Sequence, residues 1–367
     1  MIKIAHLASY GVNAGDNIAS YNIRNKLEQI IDDKIQWTSV NIIPIHETRN
    51  NAEHCKQIFK KVSDSNDMLL IGGGGLIEGE HKFESFWKLP FDQETLSVVK
   101  IPIVTFAVGV NDFRNRNRMT HAGLQNIKKF IEHNSMFSVR NDGSKESLSR
   151  YYGGLAVEEV PDPGLVFGFE AEQKNKIKDG FFQPAWNSGE DIVIGRGLVP
   201  DNIKKLSNVL EQLKLKTIPH TPKDYKFPQI KKDSYCWSEE QFKNLIKYEN
   251  FMDIFKHYYN FDYGIVMRGH GQLCSVGLNI PSIYFSTQDK VLNFSINNGF
   301  EDYNVDIRED NWDRLLLEKV DMLKNNDKYL SRWYEIRNEN MKNYEKSFNS
   351  YCQRIKNILQ KQEINNE

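Results

Sequence analysis

Residues 263–299 read YGIVMRGHGQLCSVGLNIPSIYFSTQDKVLNFSINNG, and this stretch constrains the fold more than any other. Ile265, Val266 and Met267 form an apolar run of strand length. Arg268-Gly269-His270-Gly271 follows, with glycines that permit a sharp turn. A helix is expected from about Gln272 to Leu278. Pro281 opens a second strand-like run over 282–285, and Asp289 stands where an N-cap would start a helix that stops at Gly299. Strand, glycine turn and helix in alternation describe a parallel α/β sheet. Ligands of such sheets bind at the carboxyl ends of the strands, where Arg268 and His270 fall. A helix N-terminus adds free N–H groups and partial positive charge there, both suited to an anion.

The N-terminal half repeats this pattern. Ile2–Ala8 reads as a strand, residues 11–16 as a turn, and Asp16 as the cap of a helix reaching about Ile31. The turn lacks GxGxxG, which weakens a dinucleotide reading. Strands over Ile35–Ile43 and Asp67–Ile71 flank a helix over Ala52–Val62. Gly72-Gly73-Gly74-Gly75 then allows either close approach to a ligand or close packing of two elements. Glu78 and Glu80 could orient sugar hydroxyls or simply face solvent. Ile101–Val108 reads as a buried strand, and Asn111–Arg118, with Arg114, Arg116 and Arg118, as a mobile loop near an anionic substrate or a solvated charge run. After a helix over Thr120–His133, Met136–Val139 forms a strand that ends at Arg140 and leads into a helix ending near Tyr152. Arg140 thus repeats the placement of Arg268, the alternative being a structural ion pair with a nearby Asp. Asp162, before Pro163, falls at a further strand end or in a turn.

At 367 residues the chain is long for one core. Charged, turn-rich sequence from Gly168 to Asp191 marks a linker. The division expected is an N-terminal domain over 1–168, a C-terminal domain over 190–327 and a helical tail over 328–367. In the second domain the expected order is a strand over Asp191–Gly195, a helix over Asp201–Leu215, a strand over Lys216–His220, an irregular loop over Thr221–Trp237 and a helix over Lys247–Tyr259. A strand over Tyr303–Ile307 and a helix over Asn311–Asn325 close it. In the tail, Met341, Tyr344, Phe348, Tyr351, Ile355 and Ile358 recur at helical steps. That stripe suits a helix packed across both domains, or a contact in a homo-oligomer.

Composition excludes several classes of partner. Lys and Arg (48) nearly cancel Asp and Glu (49), which gives no support to a nucleic-acid partner. No apolar run approaches the ~20 residues of a membrane span, and the first residues lack the pattern of a signal peptide. The four cysteines are far apart and form neither a CxxC nor a zinc pattern. The expectation is a cytoplasmic protein with reduced thiols and no metal.

Taken in order, these motifs resemble the polysaccharide pyruvyl transferase family. The resemblance rests on Asn13, Gly15 and Asp16; on the tetraglycine with Leu76 and Ile77; on Ser138, Arg140, Ser144 and Leu148; on Asp162-Pro163; and on Arg268-x-His270 with Gly277, Pro281 and Asp289-Lys290. It implies a GT-B-like fold, two Rossmann-like domains with largely parallel sheets facing a cleft. It implies transfer of pyruvyl from phosphoenolpyruvate to two hydroxyls of a sugar, giving a cyclic ketal, with phosphoenolpyruvate as co-substrate and no cofactor. Donor binding would fall to Arg140, Arg268, His270, Gly271 and Lys290, and acceptor binding to Asn13, Gly15, Asp16, Gly73, Gly74, Gly75 and Glu78. His270, Arg268 and Asp16 would carry the chemistry: arginine reads phosphate and carboxylate, and a general acid must protonate carbon-3. A lipid-linked acceptor would hold the protein at the inner face of the membrane. The rival readings are a nucleotide-sugar glycosyltransferase on the same fold and a catalytically silent glycan-binding relative.

Overall fold

The computed structural model describes residues 1–48, 51–78, 93–111, 121–152, 157–165, 170–186 and 190–366. Arg114, Arg116, Arg118 and Glu80 lie outside the described residues. The N-terminal sheet contains β1 (Ile2–Ala8), β2 (Ile35–Asn41), β3 (Met68–Gly72), β4 (Gly75–Glu78), β5 (Ile103–Asn111), β6 (Met136–Val139) and β7 (Glu158–Glu159). Its order is β2-β1-β3-β5-β6-β7, with β4 lying alongside β5. The C-terminal sheet contains β8 (Gly180–Gln183), β9 (Lys216–Thr217), β10 (Tyr263–Val266), β11 (Ser282–Ser286) and β12 (Asn304–Asp306), in the order β12-β11-β10-β8-β9. The strand pairings in both sheets are parallel.

Parallel strands need helical crossovers, which cover both faces of the sheet. That is why β3 is apolar at successive positions. Leu69 and Ile71 pack on one face of the N-terminal sheet, while Met68 and Leu70 pack on the other. In the C-terminal sheet Phe181, Phe182, Ile265, Val266 and Ile283 join one core. The fold has the two largely parallel α/β sheets expected from the sequence.

Several elements differ from the sequence reading. Asp191–Gly195, read as a strand, lies in the helix Glu190–Gly195. A short apolar run fits either state, and length alone did not arbitrate. The segment read as a linker instead supplies β8, which pairs with both β10 and β9. The first helix, Ala14–Ile30, is capped by Asn13, whose side chain accepts from the Gly15 N–H, while Asp16 occupies the first turn. Gln288, not Asp289, stands at the cap position of the helix Asp289–Asn297. The strand expected to reach Ile43 stops at Asn41, where the helix Ile42–Glu47 begins.

The helix Asp327–Asn366 spans both halves. Leu330, Trp333, Met341 and Tyr344 join the core of the C-terminal sheet, and Phe348, Tyr351, Cys352, Ile355 and Leu359 join a core on the N-terminal one. Each fully buried apolar side chain of this kind contributes about 1.5–3 kcal/mol. Arg337 on this helix donates to the Val276 and Gly277 carbonyls at 3.0 and 3.1 Å. These are the terminal carbonyls of the helix Gly269–Gly277, so the tail fixes the element that begins at Arg268.

Candidate active site

The carboxyl ends of the two sheets face each other, and His270 sits where they meet. It lies in the first turn of the helix Gly269–Gly277, is buried, and reaches across to the N-terminal half. Its Nδ1 lies 3.5 Å from Asp16 Oδ1, and its Nε2 lies 3.6 Å from Asp162 Oδ2. Both separations exceed a direct N–H···O hydrogen bond. The approach depends on Gly15: a Cβ built there would lie 2.1 Å from both Cβ and Cγ of His270. Backbone bonding joins the halves at the same place, through Ala14 N–H to the His220 carbonyl at 3.0 Å. The Asn17 amide also donates to the Ile246 carbonyl at 2.8 Å.

Asp162 belongs to a buried chain of charges. Arg140 follows β6 and donates through Nη1 to Asp162 at 3.1 Å and through Nε to Asp142 at 2.5 Å. The Gly164 N–H adds a bond of 2.8 Å to Asp162. Burial alone would raise the Asp162 carboxyl, but the charges of His270 and Arg140 and the Gly164 bond bring it down to about 2. Arg140 packs beneath Gly109, where a Cβ would lie 2.3 Å from its guanidinium carbon. Of the two readings of Arg140, the structure shows the ion pair: the buried guanidinium, at a strand end in the cleft, is held by Asp142 and Asp162.

The C-terminal half supplies further cations. Arg268 follows β10; its Nη2 donates to Asp224 at 2.7 Å and its N–H to the Gln183 side chain at 3.1 Å. Asp224 is fully buried and also accepts from the N–H groups of His220 and Thr221, each at 2.9 Å. Arg196, just past the helix Glu190–Gly195, is buried and donates to the Ala185 carbonyl at 3.1 Å. Burial and the neighbouring Arg268 push it down to about 9, with Asp224 opposing. Lys290 donates to Asn111 at 3.1 Å, from one half to the other. Burial and the charges of Arg140, Arg196 and Arg268 push its ammonium down to about 7, with Asp142 opposing. Three guanidinium groups and an ammonium thus crowd one region, and their mutual repulsion falls when an anion enters. A cavity of about 90 Å³ opens beside them, lined by Val110, Asp142, Asp289, Lys290 and Asn293 among others.

The residues singled out from the sequence divide into two groups. His270, Asp16, Arg140, Arg268 and Lys290 converge on this region. The glycines and Asn13 instead shape it from behind. Gly73 and Gly74 have φ of +83° and +103°, conformations that favour glycine, and Gly74 is packed so closely that a Cβ would lie 2.5 Å from Asp16 Oδ1. A Cβ on Gly75 would meet the Asn111 amide at 2.5 Å, and one on Gly271 would meet Gln183 Oε1 at 2.2 Å. Asn13 is engaged as a cap. The side chain of Glu78 lies outside the described residues. Sequence reasoning did not single out Arg196, Asn111, Gln183 or Asp224 as site residues. Arg196 had a local signal, as a cation ending an apolar run, and Asn111 stood at the start of the stretch read as a loop near an anion. Among the described residues no group of three or more His, Cys, Asp or Glu side chains is arranged to hold a metal ion.

Fold and site together define a two-sheet α/β protein with a histidine-centred site of interleaved arginines, lysine and aspartates between its halves. The family model for polysaccharide pyruvyl transferase matches residues 13–289, well over half of the chain. The chain belongs to that family, a family of transferases. No curated protein matches. Similar solved structures include the S. aureus MnaA–UDP co-structure, 11% identical, covering 92% of this chain and 91% of that one with a TM-score of 0.49. The spinosyn forosaminyltransferase SpnP is 8% identical, covering 98% and 99% of the two chains with a TM-score of 0.49. Anabaena Alr3699/HepE in complex with UDP and glucose is 11% identical, covering 94% and 99%, with a TM-score of 0.38. Among the described residues no helix is long and apolar enough to cross a membrane.

Proposed function

We propose that this protein transfers a pyruvyl unit from phosphoenolpyruvate to two hydroxyls of one sugar in a glycan or its precursor, forming a cyclic ketal and releasing phosphate. The observation that carries the reading is the gathering of Arg140, Arg196, Arg268 and Lys290 around a histidine flanked by two carboxylates. Phosphoenolpyruvate bears a phosphate and a carboxylate, and guanidinium forks suit both. Protonated His270 delivers a proton to carbon-3; the double-bond electrons form the new C–H bond and leave carbon-2 electron-poor. A sugar hydroxyl adds to carbon-2 and gives up its proton, with Asp16 as the nearest candidate base on the acceptor side. The carbon–oxygen bond to phosphate then breaks, phosphate departs with the electron pair, and the second hydroxyl closes the ketal, its proton restoring His270 while the proton on Asp16 passes to the departing phosphate. Arg268 and Lys290 balance the charge on the departing phosphate.

The test is phosphate release from phosphoenolpyruvate in the presence of a panel of sugar acceptors, with mass spectrometry of the product. A ketal product with one phosphate per turnover is expected, and Arg268→Lys, which keeps the charge and loses the fork, should weaken phosphoenolpyruvate binding well beyond twofold. Turnover of a nucleotide sugar with phosphoenolpyruvate untouched would overturn the reading.

A further inference from the structure

Arg24 lies on the helix Ala14–Ile30, on the same element as Asp16 and away from the cation group around His270. Its guanidinium carbon sits 5.1 Å from the ring centre of Tyr10, 5.0 Å from that of Trp37 and 5.7 Å from that of Tyr248. Tyr248 comes from the C-terminal half, and its ring meets Tyr10 edge-on at 5.1 Å, so the cage straddles the two halves. Arg24 Nε donates to His6 Nδ1 at 3.0 Å, and Nη2 donates to the Tyr10 hydroxyl at 2.6 Å and to Ser39 at 2.8 Å.

All three of those partners are neutral. Burial and the charge of Arg24 push His6 well below the ordinary imidazole range, so it accepts as a neutral ring. Tyr10 donates its own proton to the His6 carbonyl at 3.0 Å. Glu28, one turn further along the helix, accepts from the Trp37 indole at 2.6 Å instead. Among the described residues no carboxylate lies within 4.0 Å of Arg24, and its Nη1 makes no hydrogen bond. A guanidinium has five donors, and two N–H groups on one edge of this fork remain. Cation–π contact holds the group in place without cancelling its charge. Tyr10, Trp37, Tyr248 and Arg24 itself are only half-buried and Ser39 is exposed, so solvent reaches the rim of the cage.

We infer that this cage is a binding subsite for a phosphoryl anion, a phosphate or diphosphate group carried by the acceptor. The inference rests on the reading that a sugar reacts beside Asp16. Arg24 stands eight residues along the helix from Asp16, about 12 Å at the helical rise. That separation suits a sugar whose hydroxyls react at one end and whose phosphate is held at the other. The phosphate could belong to a soluble activated sugar or to a lipid headgroup.

The experiment titrates the whole protein, labelled with ¹⁵N-arginine, with inorganic pyrophosphate and follows the Nε resonances. The Arg24 signal is assigned by its loss in Arg24→Lys. A saturable shift of that signal is expected. In calorimetry the wild type should bind pyrophosphate at two places, and Arg24→Gln should keep one and weaken the other by tenfold or more, the scale of a charged hydrogen-bonded pair. Sedimentation with phosphatidylglycerol or phosphatidylcholine vesicles separates the sources. Selective loss of phosphatidylglycerol binding in Arg24→Gln assigns a lipid phosphate, and loss of pyrophosphate binding alone assigns a soluble one. An unmoved Arg24 signal, with superimposable Arg24→Gln and wild-type titrations and sedimentation, would overturn the inference. None of these readouts uses phosphoenolpyruvate turnover, so failure here leaves the transferase reading standing, and failure of turnover leaves the binding result intact.

Discussion

Consider replacing Gly15 by alanine. The first turn of the helix Ala14–Ile30 abuts the first turn of the helix Gly269–Gly277, and Gly15 is the point of contact. The new Cβ would stand 2.1 Å from Cβ and Cγ of His270, where ordinary contact begins at 3.4 Å. One helix start must therefore retreat by 1.3 Å, the difference of those two distances. Cβ and Cγ are the root of the imidazole, so a rotamer change cannot absorb the clash. Forced overpacking of this kind costs about 1–3 kcal/mol. Misplacing a reacting group by about 1 Å costs on the order of a hundredfold in rate. The expected result is a folded protein with a modestly lowered melting temperature and a single-turnover phosphate release slowed by roughly two orders of magnitude. Gly269→Ala is the control. It begins the helix Gly269–Gly277, but the nearest atoms to its Cβ would be those of the flexible Lys290 side chain, from 3.5 Å at Cε, an ordinary contact, so activity should change little. Wild-type rate and melting temperature in Gly15→Ala would refute the contact between the two helix starts, and with it the placement of His270 between Asp16 and Asp162.

Three further outcomes are expected. His270→Gln keeps a hydrogen-bond donor but has no transferable proton, so single-turnover chemistry should fall by roughly 10²–10⁴-fold while phosphoenolpyruvate binding weakens far less; deuterium incorporation into the ketal methyl in heavy water follows the step. Lys290, held down to about 7, loses its charge as pH rises through that value in the free protein, so phosphoenolpyruvate affinity should decline between about pH 7 and 9 by up to tenfold for each step of one in pH, and Lys290→Arg should flatten that profile in calorimetry. Asp162 has its folded value depressed from 3.8 to about 2, so its contribution is present above about pH 4 and lost as pH falls through 2. Asp162→Asn should therefore cost about 2 kcal/mol at neutral pH in urea unfolding, since each tenfold gain in acidity on folding is worth about 1.36 kcal/mol, and the difference from wild type should fade toward about pH 2.

The amino-acid sequence by itself determined the strand–turn–helix units that carry chemistry. Met136–Val139 followed by Arg140, and Tyr263–Val266 followed by Arg268 and His270, are complete local signals: an apolar run, a polar residue at its end and a helix start lie within a few residues. The three- and four-residue steps of Met341, Tyr344, Phe348, Tyr351 and Ile355 likewise named buried positions, because a helix presents one face to its neighbours. Local signals failed where an element is too short to show a period. Phe181 and Phe182 sit in a four-residue strand among charged neighbours, and β8 draws its identity from pairing with β10 and β9. The run Ile192–Ile194 is as apolar as a strand and folds as a helix beside the C-terminal sheet. Only tertiary structure could join His270 to Asp16 and Asp162, Lys290 to Asn111, or Arg24 to Tyr248. Those partners are remote in sequence, and no periodicity reaches so far. Their meeting depends on how two separately formed sheets turn their carboxyl ends toward each other, with Gly15 leaving room for one ring and Gly74 leaving room for one carboxylate.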